Sequence, residues 1–200
     1  MRSIFALTLI GLSATSAFAG LLPLDPGVPL DPFTTNSNDG YSDGRGIWFV
    51  ANSSFTLNGA GFFNGFGADD GFTQTLWASD STASDLHISN LGSFTVTNPT
   101  PGELYNNGLF AAPVSIVAGN YYYLEVTSTS EFDTNFFYDW DGVPTVDLVS
   151  VTILDGGLGN SLSNSVAPAL LLDIEPVPEP ASLAVLGIGA MALLRRRKKA

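Results

Sequence analysis

Residues 120–128 read NYYYLEVTS, and the period of two in this run constrains the fold more than any other feature of the chain. On an extended strand Tyr122, Leu124 and Val126 share one face, while Tyr121, Tyr123 and Glu125 share the other. Comparable runs recur: GIWFVA, SSFTLNGAGFF, FTQTLWA, SFTVT, PVSIVAGNYYYLEVTS, NFFYDW and PTVDLVSVTIL. Phe94 and Val96 repeat the period. Val149, Val151 and Ile153 line one side of the last run, opposite Leu148, Ser150, Thr152 and Leu154. Clusters of Gly, Asn, Asp and Pro separate the runs. Short alternating strands between turn signals predict an all-β chain, a single β-sandwich or jelly-roll-like domain. No helical pattern of useful length occurs away from the two ends, and there are no tandem repeats.

The chain has no cysteine. Disulfides, a thiolate nucleophile and a Cys-based zinc site are therefore excluded, and stability has to come from core burial. Of the seven basic residues only Arg45 lies between 20 and 177, and of the 19 acidic residues only Glu179 lies outside that segment. The body between the ends thus carries a formal charge of −17. Such a surface repels nucleic acid, acidic lipid and anionic polysaccharide, so nucleic-acid binding is set aside.

Both ends are built differently from the body. Residues 1–19 have a positive start, an apolar run from Ile4 to Leu12, and small residues closing on Ala17-Phe18-Ala19. This is the layout of a secretory signal peptide cleaved after Ala19, which implies passage through the Sec translocation machinery. Residues 20–33, with PLDP twice, read as an extended, proline-stiffened leader, and 34–175 as the sandwich domain. Residues 176–200 begin with PVPEP. Fourteen uncharged residues follow, Ala181–Leu194, and then Arg195, Arg196, Arg197, Lys198 and Lys199. As a helix the uncharged run spans about 21 Å, short of the roughly 30 Å hydrocarbon core, so it predicts a marginal, transient transmembrane anchor. The five cations keep that end cytoplasmic and leave the body outside.

Pro178-Glu179-Pro180, the apolar run and the terminal basic cluster resemble the PEP-CTERM sorting signal of Gram-negative bacteria. The resemblance covers about the last 24 residues. It implies processing by an exosortase-type membrane protease, removal of the tail, and a destination at the cell surface or in an extracellular polysaccharide matrix. A looser resemblance, over APVSIVAGNYYYLEV, is to the hairpin of many exported carbohydrate-binding-like sandwiches.

Four constellations in the body bear on chemistry. GYSDG, residues 40–44, satisfies G-x-S-x-G with Ser42 as nucleophile, but a loop precedes it and a strand-like run follows, whereas the elbow needs a helix there. His87 is the sole histidine, with Asp85 two residues away and on the same face if the segment is a strand; one histidine without cysteine makes a poor transition-metal site. Oxygen-rich turns occur around Asp39 and Asp43, with Asn36 and Asn38, and around Asp139 and Asp141, with Glu131 and Asp133. Hard cations such as calcium use such oxygens, although neither run fits the EF-hand spacing. Trp48, Trp77, Trp140, Tyr121 and Tyr123 are candidates for stacking on sugar faces. Trp140, in a turn between two aspartates, is the first choice.

The expectation is an exported, non-catalytic matrix or surface protein without an obligate cofactor, associated with extracellular polysaccharide, with calcium as a possible ion. The alternative is a secreted hydrolase, an esterase using Ser42 and His87 or a glycosidase using a carboxylate pair.

Overall fold

The computed structural model describes residues 20–24, 35–37, 44–62, 71–97, 106–128, 135–139, 145–163, 167–168 and 170–177. All of them fall in one compact unit, Phe18–Val177. They form β1 (Gly20–Leu24), β2 (Thr35–Ser37), β3 (Arg45–Ala51), β4 (Phe55–Phe62), β5 (Phe72–Ser79), β6 (Ser89–Val96) and β7 (Asn106–Ile116). Then follow β8 (Tyr121–Ser128), β9 (Asn135–Asp139), β10 (Val146–Asp147), β11 (Val151–Leu158), β12 (Ser161–Leu162), β13 (Ala167–Pro168) and β14 (Leu170–Pro176). Among the described residues there is no helix. The chain is all-β.

Two antiparallel sheets dominate. One has the order β1-β14-β4-β7; the other runs β10-β11-β3-β8-β5-β6, with β12 paired to β11. A small third sheet has the order β13-β9-β2. The aromatic strand β8 is central in the larger sheet, between β3 and β5, with Tyr123 opposite both Trp48 and Trp77. Its even-numbered residues point into the sandwich. Tyr122, Leu124 and Val126 join Ile47, Phe49, Phe72, Leu76, Val151 and Ile153 in the core. The other sheet supplies Leu24, Phe55, Leu57, Ala60, Leu170, Leu172 and Ile174 to the same cluster. One continuous core between two sheets makes this a β-sandwich. Gln74 also faces inward and is buried. Its Nε2 donates to the Gly61 carbonyl at 3.0 Å, a polar tie between the sheets.

The run APVSIVAGNYYYLEV is not a hairpin. Its apolar half belongs to β7, which pairs with β4 in the smaller sheet; its aromatic half is β8, in the larger sheet. The chain crosses from one sheet to the other through Val117–Asn120, where Gly119 has φ +82°, a value that suits glycine. The Tyr122 hydroxyl accepts from the Val117 N–H at 2.9 Å and braces this arch. An apolar strand, a Gly turn and a second strand read alike whether the two strands pair side by side or lie across a core.

The leader segment begins as a paired strand. Gly20–Leu24 is a strand of the sandwich itself, running antiparallel to β14 with Leu24 fully buried. Pro23, which lacks a donor, is tolerated because β1 is an edge. The alternation expected over 148–154 holds for the buried pair Val151 and Ile153. It fails at Val149, which is 72 % exposed ahead of the strand, and a register shift follows between Ile153 and Asp155.

Candidate functional site

The outer face of the larger sheet carries the chemistry. Strand parity sends Tyr121, Tyr123 and Glu125 of β8 outward, beside Trp48 and Gly46 of β3, Trp77 and Thr75 of β5, and Gly157 of β11. A face of that composition on a solvated sheet would be open. Tyr123 and Glu125 are buried instead. Residues 80–88, which leave β5, fold back over them.

Asp80 organises that return loop. Its carboxylate accepts from the Thr82 N–H (2.7 Å) and hydroxyl (2.9 Å), from the Ser84 N–H (3.1 Å) and hydroxyl, and from the Asp85 N–H (2.9 Å). These donors, the Ser84 hydroxyl foremost, hold the Asp80 carboxyl well below the usual carboxylate range. Asn160, in the turn between β11 and β12, ties the far end. Its Oδ1 accepts from the Leu86 N–H at 2.6 Å and the His87 N–H at 3.0 Å.

The loop thereby lays His87 on the sheet. Its ring stacks on Trp77, centroids 4.3 Å apart at 25°, and is tilted against Tyr123 at 5.7 Å. Its Nε2 lies 3.2 Å from Glu125 Oε2. The separation is that of an ion pair, but the geometry is not that of a hydrogen bond. The same Oε2 accepts the Trp77 indole N–H at 3.0 Å. Asp85 is not the carboxylate beside the imidazole, because 80–88 is a loop and not a strand. Its Oδ1 accepts from the His87 backbone N–H at 2.9 Å.

Tyr123 is fully buried, and its hydroxyl has no hydrogen-bond partner. The ring rests on Gly157 and Gly46; a Cβ at Gly157 would come within 2.5 Å of it. Burial, and next the Glu125 charge, push the phenol pKa well above its ordinary value, with the Arg45 charge pulling the other way. Arg45, the sole cation of the body, is itself buried, with one guanidinium N–H donating to the Gly44 carbonyl at 3.2 Å.

Next to this covered cluster lies a half-exposed aromatic pair. Trp48 and Tyr121, diagonal neighbours across β3 and β8, stack with centroids 5.7 Å apart at 24°, and both are half-buried. Asp155 is opposite Trp48; burial raises its pKa, against the Gly156 N–H that donates to it. Tyr121 also walls a groove of about 470 Å³, lined in addition by Ser79, Ser115, Val117 and Asn120. Trp77, by contrast, is occupied by His87, and Tyr123 is inaccessible. Of the four aromatic candidates among the described residues, two are therefore gathered at a half-exposed surface.

Trp140, Asp39, Asp43, Asp141 and Ser42 lie outside the described residues, as do Ala17, Ala19, Pro178, Glu179, Pro180 and the five terminal cations. For Asp139 the backbone is described, in β9, paired with Ala167. Among the described residues no three His, Asp or Glu side chains gather to hold a metal ion. Nor is any described helix long and apolar enough to cross a membrane. The run after GYSDG is strand β3, so no helix N-terminus follows the serine. Glu125 and Asn160 are the site residues that strand and turn patterns did not single out. The one signal for Glu125 was an acid set among tyrosines on the outward face.

A family model described as the PEP-CTERM protein-sorting motif matches residues 176–198. The chain thus carries that sorting motif, which implies export, membrane-associated sorting and an exosortase as processing partner. Comparison with curated proteins gives no match.

Proposed function

We propose that this is a non-catalytic surface or matrix protein whose sandwich binds uncharged extracellular polysaccharide on the Trp48–Tyr121 face. The observation that carries the reading is that stacked, half-exposed pair beside the groove walled by Tyr121. Aromatic faces take up the apolar faces of sugars, and serine and asparagine side chains at a groove rim supply hydroxyl partners. The body charge of −17, with its one cation buried, disfavours an anionic glycan unless a divalent ion bridges it. Calcium at Asp39 and Asp43, or at Asp139 and Asp141, would serve that purpose. The tail delivers the domain to the outer side and is then removed.

The test is retention of the purified body on the host's polysaccharide, with calcium and with a chelator. Trp48→Ala and Tyr121→Ala should each weaken retention about ten-fold or more, measured at a temperature where melting curves show each variant still folded. Unchanged retention in both variants would remove the site. A second reading, hydrolysis, has one observation in its favour. Gly44, the last residue of GYSDG, abuts Glu125, whose carboxylate faces His87. Esterase activity abolished by Ser42→Ala would establish it.

A further inference from the structure

A β-bulge decides what stands beside Trp48. In β11, Ile153 pairs with Phe49 and Asp155 with Trp48, so Leu154 is an extra residue between two successive rungs of β3. The parity of the strand changes there. Ile153 faces the core, whereas Asp155 faces outward with Trp48. Regular pairing of the same sequence would set Leu154 against Trp48 and drive the Asp155 carboxyl into the core opposite Ile47. The same shift brings Gly157, and no larger residue, beneath Tyr123.

Asp155 is half-buried, and its Oδ1 accepts the Gly156 N–H at 2.8 Å. Its Oδ2 accepts from no described residue and is open to solvent. A carboxylate has about four lone-pair positions, so roughly three are available at the rim of the aromatic pair. The face also offers a path. Ser79 of β5 is opposite Tyr121, Tyr121 stacks on Trp48, and Trp48 is opposite Asp155. From β5 to β11 this line crosses three strand spacings, about 14 Å. It starts at the groove walled by Ser79 and Tyr121 and ends on the carboxylate.

We propose that Asp155 selects the glycan, accepting hydrogen bonds from two adjacent hydroxyls of the sugar stacked on Trp48. The proposal rests on reading the Trp48–Tyr121 face as the glycan platform. The ligand class is a neutral polysaccharide with a free vicinal diol at that position. Hydroxyl bonds to a carboxylate are roughly twice as strong as those between neutral groups. A sugar without those hydroxyls leaves the half-buried carboxylate without donors, and an acidic sugar sets a second negative charge against it. Burial raises the Asp155 pKa, so the group takes up its proton above the ordinary 3.8 and loses an acceptor position. The titratable groups around it are Asp147 of β10, which accepts from the Thr152 hydroxyl, Tyr121, Tyr123 and Glu125 of β8, and His87 of the loop. Arg45, the cation of β3, is opposite Leu158.

The test is retention of wild type, Asp155→Asn, Trp48→Ala and Tyr121→Ala on the host's polysaccharide, from about pH 7 to about pH 4, with melting curves confirming each fold. Asp155→Asn keeps the shape and the acceptor for the Gly156 N–H. At neutral pH it should weaken retention about ten-fold or more. Wild-type retention should fall towards that of the variant as the pH drops, while the variant's own retention stays level. A wild-type profile that is level over the whole range overturns the proposal, and that measurement needs no variant. The deficit of Asp155→Asn should persist in a chelator. A deficit seen only with calcium overturns direct contact, because the carboxylate then acts through the ion. Asp155→Asn retained like wild type, with Trp48→Ala weakened, removes the role of Asp155 and leaves the platform standing. If Trp48→Ala and Tyr121→Ala are also retained like wild type, the platform reading itself fails.

Discussion

Tyr123 is buried among aromatic rings and glycines with its hydroxyl unpartnered, and two consequences follow. Its raised pKa favours the neutral phenol in the folded state. That contribution is complete below the ordinary value of 10.0 and is lost as pH rises through the folded-state value. The account predicts an alkaline unfolding transition in which phenolate absorbance and loss of near-UV circular dichroism coincide. Tyr123→Phe should shift that transition to higher pH and leave neutral-pH stability within about 1 kcal/mol of wild type, since no hydrogen bond is given up. Gly157→Ala is the complementary change. It sets a methyl group against the ring and should destabilise by about 1–3 kcal/mol in urea melts. If Gly157→Ala leaves the midpoint unmoved, the packing described for Tyr123 is wrong.

At the scale of elements, the 80–88 loop is a lid held by one aspartate at its start and one asparagine at its end. The Asp80 pKa is lowered, so its contribution is present above the ordinary carboxylate value and lost as pH falls through the lowered one. Amide exchange of Leu86 and His87 should therefore accelerate in acid before the core strands open. Asn160→Ala should accelerate the same two amides near neutral pH, with a global cost of about 1–2 kcal/mol, because it orphans two N–H donors. If exchange at Leu86 is unchanged in Asn160→Ala, the turn between β11 and β12 does not hold the lid. These elements also show what the sequence made legible. The period of two in NYYYLEVTS set the two faces of β8 correctly, because alternation is a local property. It did not reveal that the second face is covered too, since the cover comes from a loop nearly forty residues earlier. The partner of β7 was hidden for the same reason: pairing is set across the whole chain, and the Gly119 turn serves an arch as well as a hairpin. Trp48 and Tyr121 were recognisable as aromatic candidates. Their meeting depended on β3 lying beside β8.

Seen whole, the molecule is an anionic sandwich whose described ends leave from adjacent strands of one sheet. With its single cation buried, the body offers no positive surface, so it should not be retained by DNA or by anionic vesicles at any salt concentration. Binding to either at low salt would contradict the charge argument. The tail was the most legible segment of all. Its proline-flanked acid, apolar run and basic cluster are an address written in composition and order, readable without any fold. The ligand of the sandwich is written in no such code, because it depends on which side chains the strands bring together.

The central claim is that the chain is an exported module freed from both of its ends. Intact-mass and peptide mass spectrometry of the protein recovered from the native host's extracellular fraction tests it most directly. The account predicts an N-terminus at Gly20 and no peptide from Ala181 onward. A full-length chain in the cytosol, carrying both the Met1 and the Ala200 ends, would contradict it.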